Sequence, residues 1–156
     1  MQMKKIIIAA LFVASTSVIS AQFKIVTVVE SIIPGGMGRS RMVETTQDVD
    51  YNAFTTARTG GKDSKMGDVD RGDIKIDAFR ETKMLNFYSL VGINFQNIAS
   101  NDAIMVSKLN EMDAQGYELM FVVSGVESDA GKISGKDVSG GDGEGIYITR
   151  YIFKKK

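Results

Sequence analysis

The chain contains no cysteine and no histidine, and its one proline is Pro34. Without cysteine there are no disulfides, no thiolate metal ligands and no lipid attachment through sulfur. Without histidine the usual general base near neutral pH and the commonest transition-metal ligand are missing. The two absences together exclude a zinc site of ordinary composition. A serine nucleophile would need a lysine as its base, and Ser64-Lys65 and Ser107-Lys108 are the only adjacent Ser-Lys pairs. Most carboxylates sit in polar stretches, where raised pKa values are hard to create. Glu118 interrupts an apolar run and reads as an outward strand residue or half of a cross-strand ion pair. These exclusions point away from an enzyme and imply no cofactor.

Strong charge is also lacking. Lys and Arg number 19 and so do Asp and Glu, which gives a formal net charge of zero. There is no basic excess for nucleic acid. The start of the chain has its own composition: Lys4 and Lys5, an apolar run from Ile6 to Ala14, then small residues up to Ser20-Ala21. That order is the n-region, h-region and cleavage site of a secretory signal peptide. The apolar run is short for a bilayer span, and the small residues disfavour an uncleaved anchor. Cleavage after Ala21 leaves residues 22–156 as one domain, exported to the periplasm or beyond, with no membrane span after cleavage. Removing two signal lysines leaves 17 basic against 19 acidic residues, a net of −2.

What is present is organised around Ser100 to Ser128. Met105, Leu109 and Met112, with Val106 beside them, line one face of a 3.6-residue period. Ser100 or Asn101 is the expected N-cap, Asp102 complements the helix dipole, and Lys108, Glu111 and Gln115 fall on the outer side. Gly116 ends the helix. Tyr117 to Val123 follows as a strand, with Tyr117, Leu119, Phe121 and Val123 on one face. A helix joined this tightly to a strand folds back onto the sheet.

Phe23 to Ile33 reads as the first strand, rich in β-branched residues and stopped by Pro34. The stretch from Pro34 to Arg41 is glycine-rich. Arg39 and Arg41 could serve an anion site there, and the plainer reading is a wide turn with solvated arginines. Residues 34–83 are expected to be largely a polar insertion. Within it, Asp68, Asp70 and Asp73 are candidate calcium ligands, with Asp77 nearby, although the spacing misses the EF-hand pattern and a solvated charge run is the simpler account. Arg71-Gly72-Asp73 is an adhesive-type tripeptide that chance also produces. Met84 to Val91 is expected as a strand, with a short helix as the alternative, Gly92 to Ala99 as a connection with Phe95 and Ile98 under the helix, residues 129–144 as a polar hairpin connection, and Gly145 to Phe153 as a well-covered last strand. Lys154 to Lys156 reads as a solubilising tail. The expected fold is α+β: a small antiparallel sheet of about four strands with one main helix on one face.

The run Leu109-Asn110 followed by Gly116-Tyr117-Glu118-Leu119 resembles the bacterial domain of unknown function numbered 4177, which carries Leu-Asn, a helix end, then Gly-Trp-Glu-Leu entering a strand. The first and last strands are also similar to those of that family. The likeness covers about half of the mature chain and omits the insertion. Tyr117 stands where the family prefers Trp. The resemblance implies a compact antiparallel α+β domain, with Leu109, Gly116, Tyr117 and Leu119 as structural residues, and no mechanism. The functional expectation is a non-catalytic module that binds a partner protein or envelope component. The alternative is a small-ligand or anion binder, or a carboxylate-dependent hydrolase, using the loop 34–41.

Overall fold

The computed structural model describes residues 22–31, 39–58, 60–61, 65–89, 91–127, 132–133, 136–137 and 146–156. The expected signal peptide, the loop from Pro34 to Gly38 and most of 128–145 lie outside these residues. In chain order the elements are β1 (Phe23–Ser31), β2 (Ser40–Thr45), the single helical turn α1 (Arg71–Ile74), β3 (Phe79–Met84), β4 (Tyr88–Ser89), β5 (Gly92–Ile93), α2 (Phe95–Ala114), β6 (Tyr117–Glu127), β7 (Lys132–Ile133), β8 (Lys136–Asp137) and β9 (Ile146–Lys155). Two short 3-10 turns, Tyr51–Phe54 and Lys65–Asp68, lie between β2 and α1.

The fold is α+β, as expected, with one more strand. Five strands pair in the order β3-β2-β1-β9-β6, each antiparallel to its neighbours. Two of them, β2 and β3, come from the stretch read as an insertion. Phe79 to Met84 escapes a hydrophobicity search because three of its six residues, Arg80, Glu81 and Lys83, are charged. Of the stretch from Met84 to Val91, Met84 ends β3 and Tyr88–Ser89 forms β4, paired with β5 in a small separate ladder.

The helix covers one sheet face. Val26 and Val28 of β1, Met42 of β2, Met84 of β3 and Phe153 of β9 form the buried core with Met105, Met112 and Tyr117. Burial of each such side chain is worth about 2 kcal/mol. Gly116 ends α2 at φ 80°, a left-handed conformation that costs any Cβ-bearing residue about 1–2 kcal/mol. Tyr117 follows it and is fully buried, with the Lys24 and Lys155 ammonium groups 5.1 and 4.7 Å from its ring centre. The last lysines are therefore not a free tail. Lys155 Nζ donates to the Gln115 carbonyl at 2.6 Å, and the Lys156 amide donates to the Gly116 carbonyl. Lys156 also pairs with Asp113, which raises the pKa of its ammonium.

Several details of α2 depart from expectation. The helix starts at Phe95, capped by Asn94, whose side chain accepts from the Asn97 amide. Phe95 is exposed and does not tuck under the helix. Asn101, expected as a cap, is instead buried mid-helix. It accepts from the Leu85 amide at 2.9 Å, donates to the Leu85 carbonyl at 2.7 Å and reaches Glu30 at 3.2 Å. Asp102 thus lies well inside the helix, away from its dipole end, and Val106 is exposed. Lys108, placed on the outer side by its charge, is buried. The helix is seated by a stripe of Asn101, Met105, Lys108 and Met112, spaced four, three and four residues apart.

In β6 the alternation breaks. The register with β9 slips between Leu119 and Phe121, so Met120 is the extra residue of a bulge. Tyr117 and Leu119 share the helix-side face with Val122 and Ser124, while Phe121 and Val123 turn to the opposite face. The isoleucines of β9 pair with that opposite face too, so the last strand is covered on one side only.

Replacing Asn101 with Ala leaves both main-chain groups of Leu85 without their partner. The expected loss is about 2 kcal/mol of folding free energy, measured as a lower urea midpoint with an unchanged slope.

Candidate functional site

Three surface features carry the chemistry of this fold. The first is a charged cluster where α2 crosses β2 and β3. Lys108 Nζ donates to Glu44 at 2.7 Å and to Glu111 at 3.0 Å. The Lys108 and Glu44 side chains are 5% and 9% exposed, so the pair is essentially removed from water. Arg80 lies 3.6 Å from Glu44 and 3.7 Å from Glu111, and Lys24 reaches Glu44 at 3.8 Å. The hydrogen bond from Lys108 is the largest influence on Glu111 and holds its carboxyl below the ordinary 4.5. Clefts of about 410 and 420 Å³ flank the cluster and share Met42, Thr82, Lys108 and Glu111. Ser107 lines the second cleft, but its neighbour Lys108 is engaged by two carboxylates. A serine–lysine dyad is therefore not assembled. Burying such a pair is costly unless it is well bonded, and its value lies in fixing one arrangement of the helix.

The second feature is the cleft of about 270 Å³ on the sheet face away from α2. Arg39 and Arg41 both line it, with Val29, Ser31, Val43, Glu81 and Ile146. The two arginines are thus brought together. Glu81 sits among them, and one Arg41 guanidinium nitrogen donates to the Ser40 carbonyl.

The third feature is bare apolar surface. On the face away from α2, Phe23, Ile25, Phe79, Phe121 and Val123 are exposed. Strand β6 is an edge of the sheet. Leu119, Met120, Phe121, Val122, Val123 and Val126 are each 40–62% exposed. Tyr117, at the foot of the same strand, is where the helix ends and the cover stops.

The acidic residues of the long polar stretch do not gather. Asp70 caps α1, its side chain accepting from the Gly72 amide, while Asp68 ends the preceding 3-10 turn and Asp73 lies within α1. Among the described residues no group of three or more acidic side chains is placed to hold a metal ion. Arg71-Gly72-Asp73 forms α1 itself, on the surface. Of the residues carried by the family likeness, Gly116 and Tyr117 form the corner, Leu109 is half-buried against the core, and Leu119 is exposed on β6.

Sequence reasoning gives Glu44 no role, places Lys108 on the outer side and makes Asn101 a cap, because a polar side chain is expected at the surface or at a helix end. The four-three-four spacing through Met105 and Met112 was the available sign, since it predicts which neighbours share their buried face whatever their chemistry. Comparison with family models, curated proteins and solved structures gives no match.

Changing Lys108 to Ala strands a buried carboxylate, although Lys24 and Arg80 remain near it. The expected cost is about 2–3 kcal/mol. In a double-mutant cycle, Glu44→Gln with Lys108→Met costs less than the sum of the single changes, read from chemical denaturation. Glu111 supplies a pH dependence. Its folded pKa is depressed, so its contribution is complete above the ordinary 4.5 and is lost as pH falls through the lower folded value. Because Glu111 is 42% exposed, the effect is below about 1 kcal/mol. Acid titration of stability is expected to show a smaller loss for Glu111→Gln than for the native chain.

Proposed function

We propose that this chain is an exported, non-catalytic module of the cell envelope that binds a partner through its uncovered sheet surface. The observation that carries the reading is the exposed apolar run of β6 together with the open face beside it. Apolar side chains exposed along a whole strand are the kind of surface that serves interaction. The ionisable cluster around Lys108 supports the same reading, since its donors and acceptors are matched to each other. Export rests on the signal-like composition of residues 1–21, and kinship with the family numbered 4177 rests on the Gly116 corner and its flanking residues. Among the described residues no helix is long and apolar enough to cross a membrane.

A second reading, an anion or small-ligand binder, is supported by the convergence of Arg39 and Arg41 on one cleft. Titration with inorganic phosphate that leaves the Arg39 and Arg41 amide resonances unmoved removes it.

Affinity capture from envelope extracts with the mature chain, Gln22 to Lys156, is expected to recover a reproducible partner. Recovery is expected to be lost when the exposed Phe121 is changed to Glu. Capture that yields nothing reproducible from the native chain contradicts the interaction reading.

A further inference from the structure

The two edges of the sheet are built in opposite ways. Strand β3 is six residues long and carries Arg80, Glu81 and Lys83. Charges on a short edge strand discourage pairing with another chain. Strand β6 is eleven residues long, and from Leu119 to Val126 it has no charged residue and no proline. Among the described residues nothing pairs with its outer edge. Its side chains are exposed on both faces as well, Phe121 and Val123 on one, Val122 and Val126 on the other. A strand apolar on both faces is the pattern of one in the interior of a sheet.

We propose that the outer edge of β6 pairs with β6 of a second copy of this chain, antiparallel and across a two-fold axis, joining two five-stranded sheets into one. The proposal rests on the interaction reading above only in taking β6 as a contact surface, and it gives that surface a second copy as its occupant. Antiparallel pairing of one strand with its own copy is self-complementary, as a two-fold interface requires.

The register follows from the strand itself. Beyond the bulge at Met120, residues 121–127 pair regularly with β9. An axis through Val123 sets Phe121 opposite Gly125 of the copy and Val122 opposite Ser124. In each pair the two residues lie on the same face of the sheet. Nothing lies within 4 Å of where a Cβ on Gly125 would be, so the space beside that glycine is open to the phenyl ring. An aromatic side chain laid over a cross-strand glycine is a known way to restore packing there.

The size of the contact sets its strength. Eight residues from Leu119 to Val126 give an edge of roughly 27 Å at about 3.4 Å per residue. With six half-exposed apolar side chains it buries on the order of 400–500 Å² per copy, below the usual ~800 Å². The dimer is therefore expected to depend on concentration, with a Kd on the order of micromolar.

Sedimentation velocity of the mature chain across the micromolar range tests this. The native chain is expected to shift from monomer to dimer, and Val123→Lys is expected to remain monomeric with an unchanged circular dichroism spectrum. The chain has no cysteine, so Val123→Cys introduces a single thiol on the proposed axis, where facing Cα atoms of an antiparallel pair are spaced for a disulfide. Mild oxidation is expected to give a covalent dimer with Val123→Cys and none with Thr55→Cys on the exposed surface. A native chain that stays monomeric throughout, a dimer that persists in Val123→Lys, or equal cross-linking of the two cysteine variants overturns the proposal. If the native chain stays monomeric yet captures an envelope partner, only the self-pairing is wrong. If it dimerises and captures nothing, self-pairing stands and the envelope-binding reading is wrong.

Discussion

The structure depends on how one helix is fixed across one face of a sheet. Met105 and Met112 supply apolar contact, but methionine is flexible and specifies position poorly. The position is set by polar side chains in the same stripe. Asn101 grips the main chain of Leu85 just after β3, and Lys108 is held by Glu44 on β2. Near the helix start, Asn97 donates to the Asn86 carbonyl while Asn86 accepts from Ser40 of β2. At the other end, Lys155 and Lys156 bind the carbonyls and the acid of the last turn. Apolar packing gives the helix a surface to lie on; these bonds decide where on it the helix lies.

That seating explains what is left uncovered. A helix of 20 residues is about 30 Å long and about 10 Å wide, whereas five strands about 4.8 Å apart span roughly 20 Å or more. One helix cannot shield one whole face, and it does nothing for the other. The helix is bonded through Asn101 to Leu85 and Glu30 and through Lys108 to Glu44, and past Tyr117 the side chains of β6 up to Val126 are exposed. The bulge at Met120 adds to this by turning Phe121 and Val123 to the face that has no helix. The same choice that buries Met42 and Met84 leaves Phe121 in water, and the interaction role proposed above rests on that asymmetry.

Much of this architecture was legible in the chain and some was not. The helix–glycine–strand unit could be read because periodicity, the stop at Gly116 and the β-branched first strand all agree. Strands β2 and β3 lie largely in the stretch expected as a polar insertion, and β3 is hidden because its partners, not its composition, make it a strand: Arg80 pairs opposite Glu44 and Glu81 opposite Val43. The cap was placed too late because Asn94, Asn97 and Asn101 all offer suitable side chains, and local sequence does not say which one tertiary contacts will use. The bulge in β6 has no local marker, since Met120 differs little from its neighbours. Of the candidate site residues, Arg39 and Arg41 do converge on one cleft, while Asp68, Asp70 and Asp73 are separated by the turns they help to form.

The seating of α2 can be tested directly through the methionines, which are spread over both environments. Met42, Met84, Met105 and Met112 are buried, whereas Met66 and Met120 are exposed. Oxidation by dilute peroxide, followed residue by residue by mass spectrometry, is expected to modify Met66 well before Met105 and Met112. Oxidation of Met105 and Met112 at the rate of Met66 would mean that the helix does not lie on the sheet in the way described.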